Sequence, residues 1–216
     1  MSYKLSPSDF GYLLGDCKHC YYSKVKLGLA LPSMPFPGIF ARMNSLLQSH
    51  IVGMNMRNIH PDLPDVIVES QEGWLKSTII PSSDCYISGR FDILCRTPSG
   101  EHTVIDFKII DSTQEKILQR YGSQLHAYKF AFENPQEGEP RKVQHMGIVT
   151  LSPQSVEIKE GRAVFTSQPQ YFEVKEDMQQ FFRLIEEISG LLSGVLPTAT
   201  SNCAWCKYKK LVREQN

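Results

Sequence analysis

Apolar runs in the middle of the chain alternate with turn residues in a pattern typical of β-strands. Residues 66–70 and 75–80 form two short β-favouring runs, and Ser88–Cys95 and Val104–Ile110 form two more. The run from Val104 is almost continuously apolar, which is typical of a strand covered on both faces. Turn chemistry at residues 98–101, Pro-Ser-Gly-Glu, predicts that the last two runs pair as a hairpin.

Three segments carry apolar residues at helical spacing instead. They are residues 39 to about 55, 111–129 and 175–192. A core strand is expected at 143–151, where Gly147 indicates a close backbone approach, and an edge hairpin is expected at 156–165. Three prolines predict a loop at 31–38. The order of these elements predicts an α/β fold with a mixed central β-sheet flanked by helices.

Composition places the chain among globular proteins and leaves its partners open. A length of 216 residues is enough for one sizeable domain. The 23 basic and 23 acidic residues give a formal net charge of zero, which neither supports nor excludes nucleic acid, because a local basic groove can coexist with a neutral total. No apolar run approaches the ~20 residues of a membrane span. Since the N-terminus also lacks a signal-peptide pattern, we expect a cytoplasmic protein without a membrane partner.

Two acidic residues and a lysine lie inside the predicted hairpin. Asp106 and Lys108 are two apart and share a strand face, and pairing would bring Asp92 beside them. An Asp-x-Lys tripeptide alone is usually a surface ion pair. Here its apolar flanks predict burial, and buried charges are costly unless they are paired or bound to metal. The pattern therefore predicts a divalent-metal site. Gln124 and Tyr128 lie four apart on the next helix and share a face, a spacing that is also common without function.

Four of the six cysteines form two CxxC pairs, Cys17 with Cys20 and Cys203 with Cys206. Reduced thiols at this spacing are typical of metal ligation, by zinc or by an iron–sulfur cluster. If the pairs meet in space, residues 1–35 and 195–216 form a small metal-binding lobe beside the core of a single domain, 1–216. Cys85 and Cys95 need no chemical role, because buried cysteines behave as small hydrophobic residues.

Several motifs, taken in order, resemble those of PD-(D/E)XK nucleases of the RecB type. They are Gly89-Arg90-Phe91-Asp92, Ile105-Asp106-Phe107-Lys108 and Gln124-x-x-x-Tyr128. Ser6-Pro7-Ser8-Asp9, followed by Cys17 and Tyr21, resembles the start of the CRISPR-adaptation nucleases of that superfamily. The resemblance covers about residues 6–208 and implies a restriction-endonuclease-like core.

The resemblance also implies a role for each residue. Asp92 and Asp106 would ligate Mg²⁺ or Mn²⁺ together with the backbone carbonyl of Phe107, and Lys108 would position or activate the attacking water. Gln124 and Tyr128 would orient Lys108 or contact the scissile phosphate. The implied function is a metal-dependent DNA nuclease, of exonuclease or end-processing type, in repair, recombination or defence. Its partners would be single-stranded DNA or duplex ends, and a helicase or another repair or defence subunit.

Two features depart from the family pattern. RecB-type enzymes often carry a histidine on the first core helix; the comparable place here holds Arg42 to Asn44, and His50 comes later. This difference favours an alternative, a non-catalytic nucleic-acid-binding module that keeps the nuclease fold. The iron–sulfur members typically use one N-terminal and three C-terminal cysteines, whereas this chain has two of each. The resemblance thus favours iron–sulfur only slightly over zinc, and a purely structural zinc protein is a third possibility.

Overall fold

The computed structural model describes residues 2–29 and 38–214. The strands are β1 (Tyr3–Leu5), β2 (Ile67–Gln71), β3 (Trp74–Ile79), β4 (Cys85–Arg90), β5 (Ile93–Arg96), β6 (His102–Ile109), β7 (Val143–Leu151), β8 (Ser155–Lys159), β9 (Arg162–Thr166) and β10 (Gln170–Glu173). The α-helices are α1 (Lys18–Val25), α2 (Gly38–Gln48), α3 (Gln114–Glu133), α4 (Met178–Ser193) and α5 (Ala204–Glu214). A π-helical turn forms at Phe10–Leu14 and a 3₁₀ turn at Met56–Asn58.

The central sheet has five strands in the order β10-β7-β6-β5-β2. β6 runs parallel to β7, and the other neighbours are antiparallel. A second sheet has the order β1-β4-β3, and β8 and β9 form a separate two-stranded ribbon. The predicted α/β class with a mixed central sheet flanked by helices is therefore confirmed.

Alternation along the central strands divides the core into two layers. Leu94, Val104 and Ile148 pack with residues of α3 and α4 on one face of the sheet. Ile93 and Ile105 belong to the second cluster, on the other face, which is covered by the segment between α2 and β2. Asp106 shares the side-chain parity of Val104, so β6 directs it toward α3.

The prediction of one continuous strand over Ser88–Cys95 is wrong. β4 ends at Arg90 and pairs with β1 and β3, whereas β5 begins at Ile93 and pairs with β6 and β2. Between them the Phe91 N–H donates to the carbonyl of Gly73, at 3.0 Å. The chain crosses from one sheet to the other at this point, and the unbroken apolar pattern conceals the crossing. The β5–β6 hairpin itself is confirmed, with Ile93 opposite Ile105.

The first long helix is shorter than predicted, because α2 ends at Gln48 rather than near residue 55. Gly53 has a φ of +83°, a left-handed conformation that a helix does not contain. Ile51 therefore joins the second apolar cluster from a loop. The predicted loop at 31–38 lies outside the described residues, apart from Gly38, which begins α2.

The close approach expected at Gly147 is confirmed. A Cβ at this position would lie 2.3 Å from the ring of Tyr171 on β10. The expected edge hairpin forms as β8 and β9, but it makes a ribbon of its own rather than an edge of the central sheet. β1 and β10 were not predicted, because three or four residues are too few to show alternation.

Candidate active site and cysteine centre

β6 presents Asp106 and Lys108 on the face of the sheet that α3 covers. The Asp106 side chain is fully buried, and its Oδ2 lies 2.5 Å from the Lys108 ammonium, whose side chain is 20% exposed. The lysine thus reaches from the C-terminal end of β6 toward solvent, while its charge is neutralised by the buried carboxylate. The structure brings these two predicted residues together.

Asp92 lies at the crossing between the two sheets rather than within a strand. Its Oδ2 accepts a hydrogen bond from the Phe107 N–H, at 2.9 Å, which fixes the carboxyl group beside β6. Its own carbonyl accepts from the N–H of Glu72, at 2.7 Å. The β2–β3 turn and β6 together therefore hold Asp92 beside the backbone that carries Asp106.

Gln124 and Tyr128 approach the same carboxylates from α3. Gln124 Nε2 donates to Asp106 Oδ1 at 3.0 Å and to the Tyr128 hydroxyl at 2.7 Å. The Tyr128 hydroxyl donates in turn to the carbonyl of Arg90 at 2.8 Å, and both side chains are buried. Gln124 is therefore hydrogen-bonded to Asp106, whereas the resemblance implied that it orients Lys108 or contacts the scissile phosphate.

Burial and like charge shift the acid–base behaviour of this group. Burial, and next the Asp106 carboxylate, raise the pKa of Asp92 to about 7. Burial alone would lower the pKa of Lys108, but the carboxylates of Asp106 and Asp92 outweigh it, and the pKa of Lys108 rises. Two carboxyl groups that resist simultaneous ionisation are a common setting for a bound cation.

The donor set fits a hard divalent cation. Asp106 Oδ2 is buried, and the Lys108 ammonium 2.5 Å away is its partner. Carboxylate oxygens are the ligands that Mg²⁺ and Mn²⁺ prefer. The residues that would hold the ion are Asp92 and Asp106, and the Phe107 peptide lies beside them through its bond to Asp92. A ligand role for the Phe107 carbonyl stays a prediction.

Two tyrosines belong to this site, and the sequence pattern did not single them out. The Lys108 ammonium lies 5.0 Å from the ring centroid of Tyr121, and the Tyr121 hydroxyl bonds to that of Tyr12 on the π-helical turn. A signal for Tyr121 was present, since it lies three residues before Gln124 and seven before Tyr128, on one helical face. In the pattern of apolar positions, however, both tyrosines count only as core residues.

A cavity of about 390 Å³ opens beside Lys108, between β6 and α2. Its lining includes Asn44, Phe107 and the two tyrosines. Asn44 thus occupies the side of the site where the resemblance expects a histidine, and His50 is exposed beyond the end of α2.

The four predicted cysteine ligands come together where α1 and α5 begin. The sulfur atoms of Cys17, Cys20, Cys203 and Cys206 all lie within 4.8 Å of one another. Burial would raise the pKa of the Cys17 thiol, but hydrogen bonds from the Cys20 backbone, from the Thr200 hydroxyl and from neighbouring thiols outweigh it and lower the pKa to about 6. The group could therefore bind a metal, as the spacing of the CxxC pairs predicted.

A family model of the PD-(D/E)XK nuclease superfamily matches residues 42–211. The chain belongs to the PD-(D/E)XK nuclease superfamily. The family resemblance seen in the sequence is therefore confirmed. Nucleases of this superfamily hydrolyse phosphodiester bonds and use divalent metals, so the chain is a nuclease by family.

Two solved structures are similar to this PD-(D/E)XK chain. The crystal structure of SSO0001 is 18% identical in sequence, and the likeness covers 95% of this chain and 82% of that one with a TM-score of 0.52. An alkaline exonuclease, LHK-Exo from Laribacter hongkongensis, is 13% identical, with coverage of 98% and 94% and a TM-score of 0.47. The first of these likenesses shows a shared fold. No curated protein sequence matches the chain.

Among residues 2–29 and 38–214, no helix has the length and apolar character needed to span a membrane.

Proposed function

We propose that this PD-(D/E)XK protein is a Mg²⁺- or Mn²⁺-dependent DNA nuclease of exonuclease or end-processing type. The observation that carries the proposal is the meeting of Asp92, Asp106 and Lys108 at one buried point beside an open cavity. The family supplies the reaction, phosphodiester hydrolysis. DNA as the substrate, and repair, recombination or defence as the setting, follow from the RecB-type motifs.

Each side chain has a part in this reaction. Asp92 and Asp106 would hold the cation, which when bound would supply a hydroxide at neutral pH and stabilise the anionic transition state. Lys108 lines the cavity, and its positive charge would attract a phosphate oxygen and position the attacking water. Gln124 holds Asp106 in one orientation, and Tyr128 holds Gln124 against the backbone of β4.

The decisive experiment incubates the full chain with end-labelled single- and double-stranded DNA in Mn²⁺ or Mg²⁺. We expect metal-dependent cleavage, and a loss of about 10²-fold or more in Lys108→Ala, the size typical for removing one preorganised charge. Lys159→Ala is the matched control, because Lys159 is exposed on β8 and pairs with Glu157 on its own strand. Equal cleavage by the wild type and Lys108→Ala would refute the proposal.

A second candidate is the non-catalytic nucleic-acid-binding module. Asn44, which lines the cavity where a histidine is usual in RecB-type enzymes, favours it. A protein of this kind would bind DNA with an affinity that falls steeply with salt, and it would cleave under no metal condition. Metal-dependent cleavage that Lys108→Ala abolishes would exclude this candidate.

Two further expectations belong to the same proposal. A helicase or another repair or defence subunit is the predicted protein partner, and co-purification with the full chain tests it. The cytoplasm is the predicted compartment, in keeping with the reduced CxxC pairs.

A further inference from the structure

The four cysteine sulfur atoms are packed closely enough to distinguish between two kinds of metal centre. Cys17 to Cys206, Cys20 to Cys203 and Cys20 to Cys206 are each 3.7 Å apart, and every pair is within 4.8 Å. The Cys20 sulfur is thus equally close to the sulfur atoms of Cys203 and Cys206. The four atoms form one compact group rather than two separate pairs.

A single tetrahedral ion requires this spacing. Zinc–thiolate bonds of about 2.3 Å place the ligands of a tetrahedron about 3.8 Å apart. In a four-iron cluster each thiolate binds a different iron and points outward, so the sulfur atoms spread over roughly 6 Å. In a two-iron cluster, close pairs are separated by a similar gap. The cysteine geometry does not fit the iron–sulfur cluster that the family resemblance slightly favoured.

We propose that Cys17, Cys20, Cys203 and Cys206 hold a single zinc ion in a closed structural site. Cys17, Cys20 and Cys206 are buried, and Cys203 is half-buried, so four protein ligands complete the coordination and leave no open position. Thiolates are soft donors, and a tetrahedral set of four is typical of zinc when a cluster is excluded.

The local backbone is arranged to stabilise the thiolates. Cys17 is the N-cap of α1, and Cys203 directly precedes α5. Each CxxC pair therefore occupies the first turn of a helix, where free N–H groups and the positive end of the helix dipole favour negative charge. The Thr200 hydroxyl also donates to the Cys17 sulfur, at 3.6 Å. These contacts compensate part of the charge that a zinc ion leaves on four thiolates.

The zinc site joins the two ends of the chain and supports the active site. Its ligands come from segments 183 to 189 residues apart. Leu13 packs against the cysteine group, and the adjacent residue, Tyr12, contacts Tyr121 beside Lys108. The ion thus anchors the π-helical turn that closes one side of the cavity, whether or not the cavity is catalytic.

Metal and sulfide analysis of the full chain tests the proposal directly. The protein is purified without oxygen from cells supplied with both zinc and iron. We expect one zinc per chain, no acid-labile sulfide and no absorption band near ~400 nm. Exchange with Co²⁺ should give the intense visible absorption of a tetrahedral cobalt thiolate site. Four irons with sulfide per chain, or a folded protein that contains no metal, would overturn the proposal.

Two variants give an independent readout. Cys203→Ser removes the most exposed ligand, and we expect zinc content to fall and the Co²⁺ absorption to be lost. Cys85→Ala is the matched control, because Cys85 is a buried thiol on β4 outside the group, and it should keep one zinc. Equal zinc in both variants would contradict the site, and nuclease activity is needed for neither measurement. A loss of cleavage in Lys108→Ala with full zinc would separate the two centres.

Discussion

At the scale of single residues, both carboxylate oxygens of Asp106 have partners in the candidate active site. One of its oxygens accepts from Gln124, and the other lies against the Lys108 ammonium. Gln124 therefore orients the carboxylate at one oxygen, while the Lys108 ammonium neutralises the other. By holding Oδ1, Gln124 also determines where Oδ2 points.

Replacing Gln124 should affect both stability and metal binding. In Gln124→Leu, the buried Asp106 Oδ1 loses its donor, and the cost of an unsatisfied buried group is about 1–3 kcal/mol of unfolding free energy. We also expect weaker Mn²⁺ binding, since loss of a group that orients a ligand typically costs about 10–100-fold in metal affinity. Urea unfolding and a Mn²⁺ titration measure the two effects. Gln119→Leu, an exposed position on the same helix, is the control, and an equal response of both variants would contradict the assignment.

Asp92 should make the stability of the protein depend on pH when no divalent cation is present. Its pKa is about 7 in the folded protein, against 3.8 as the ordinary value, because burial and Asp106 disfavour its charge. The folded state binds this proton more tightly than the unfolded state does. The free energy of unfolding should therefore fall by about 1.4 kcal/mol for each pH unit as the pH rises from about 4 to about 7.

Asp92→Asn removes the titrating group and is the matched comparison. The difference in Tm between Asp92→Asn and the wild type should grow in favour of the variant between pH 4 and pH 7, and Mg²⁺ should reduce it. A pH-independent difference would show that the carboxyl group is not held in this buried setting.

At the scale of elements, the decisive feature is the crossing from β4 to β5. The alternating pattern predicted the hairpin, the core strand and the helices, since each buries a regular apolar face. It could not show the crossing, because Phe91 and Ile93 read as one apolar run whether the strand continues or changes sheets. Tertiary hydrogen bonds to the β2–β3 turn determine the break. The same limit explains the overestimated α2, whose apolar pattern continues into a loop.

A substitution at Gly73 tests whether the crossing from β4 to β5 fixes the position of Asp92. A Cβ at Gly73 would lie 2.6 Å from the ring of Phe91, which must move and carry Asp92 with it. We expect Gly73→Ala to cost about 1–3 kcal/mol of unfolding free energy by overpacking, and to weaken Mn²⁺ binding.

Gly190→Ala provides the control for this substitution. Gly190 lies in α4 with nothing within 4 Å of a new Cβ, and alanine there should stabilise the helix by about 0.5–1 kcal/mol. Unchanged stability and metal binding in Gly73→Ala would show that the Phe91 ring does not fix the position of Asp92.

At the scale of the whole molecule, one chain brings together two candidate centres of different chemistry. The carboxylates of Asp92 and Asp106 meet where β6 passes under α3, and the four cysteine sulfur atoms meet where α1 and α5 begin. The sequence predicted both groups of residues, because their types and spacings carry the chemistry. It could not predict the links between them, such as Tyr12 on its π-helical turn, because these depend on packing between distant segments.

The most direct test of the account is a titration of the full chain with Mn²⁺. The electron paramagnetic resonance signal of the free ion measures how much Mn²⁺ is bound. Asp106→Asn is compared with the wild type and with Asp84→Asn, an exposed aspartate in the β3–β4 turn. We predict that the wild type and Asp84→Asn bind equally and that Asp106→Asn binds at least about tenfold more weakly. Equal affinity in all three proteins would contradict a cation site at Asp92 and Asp106.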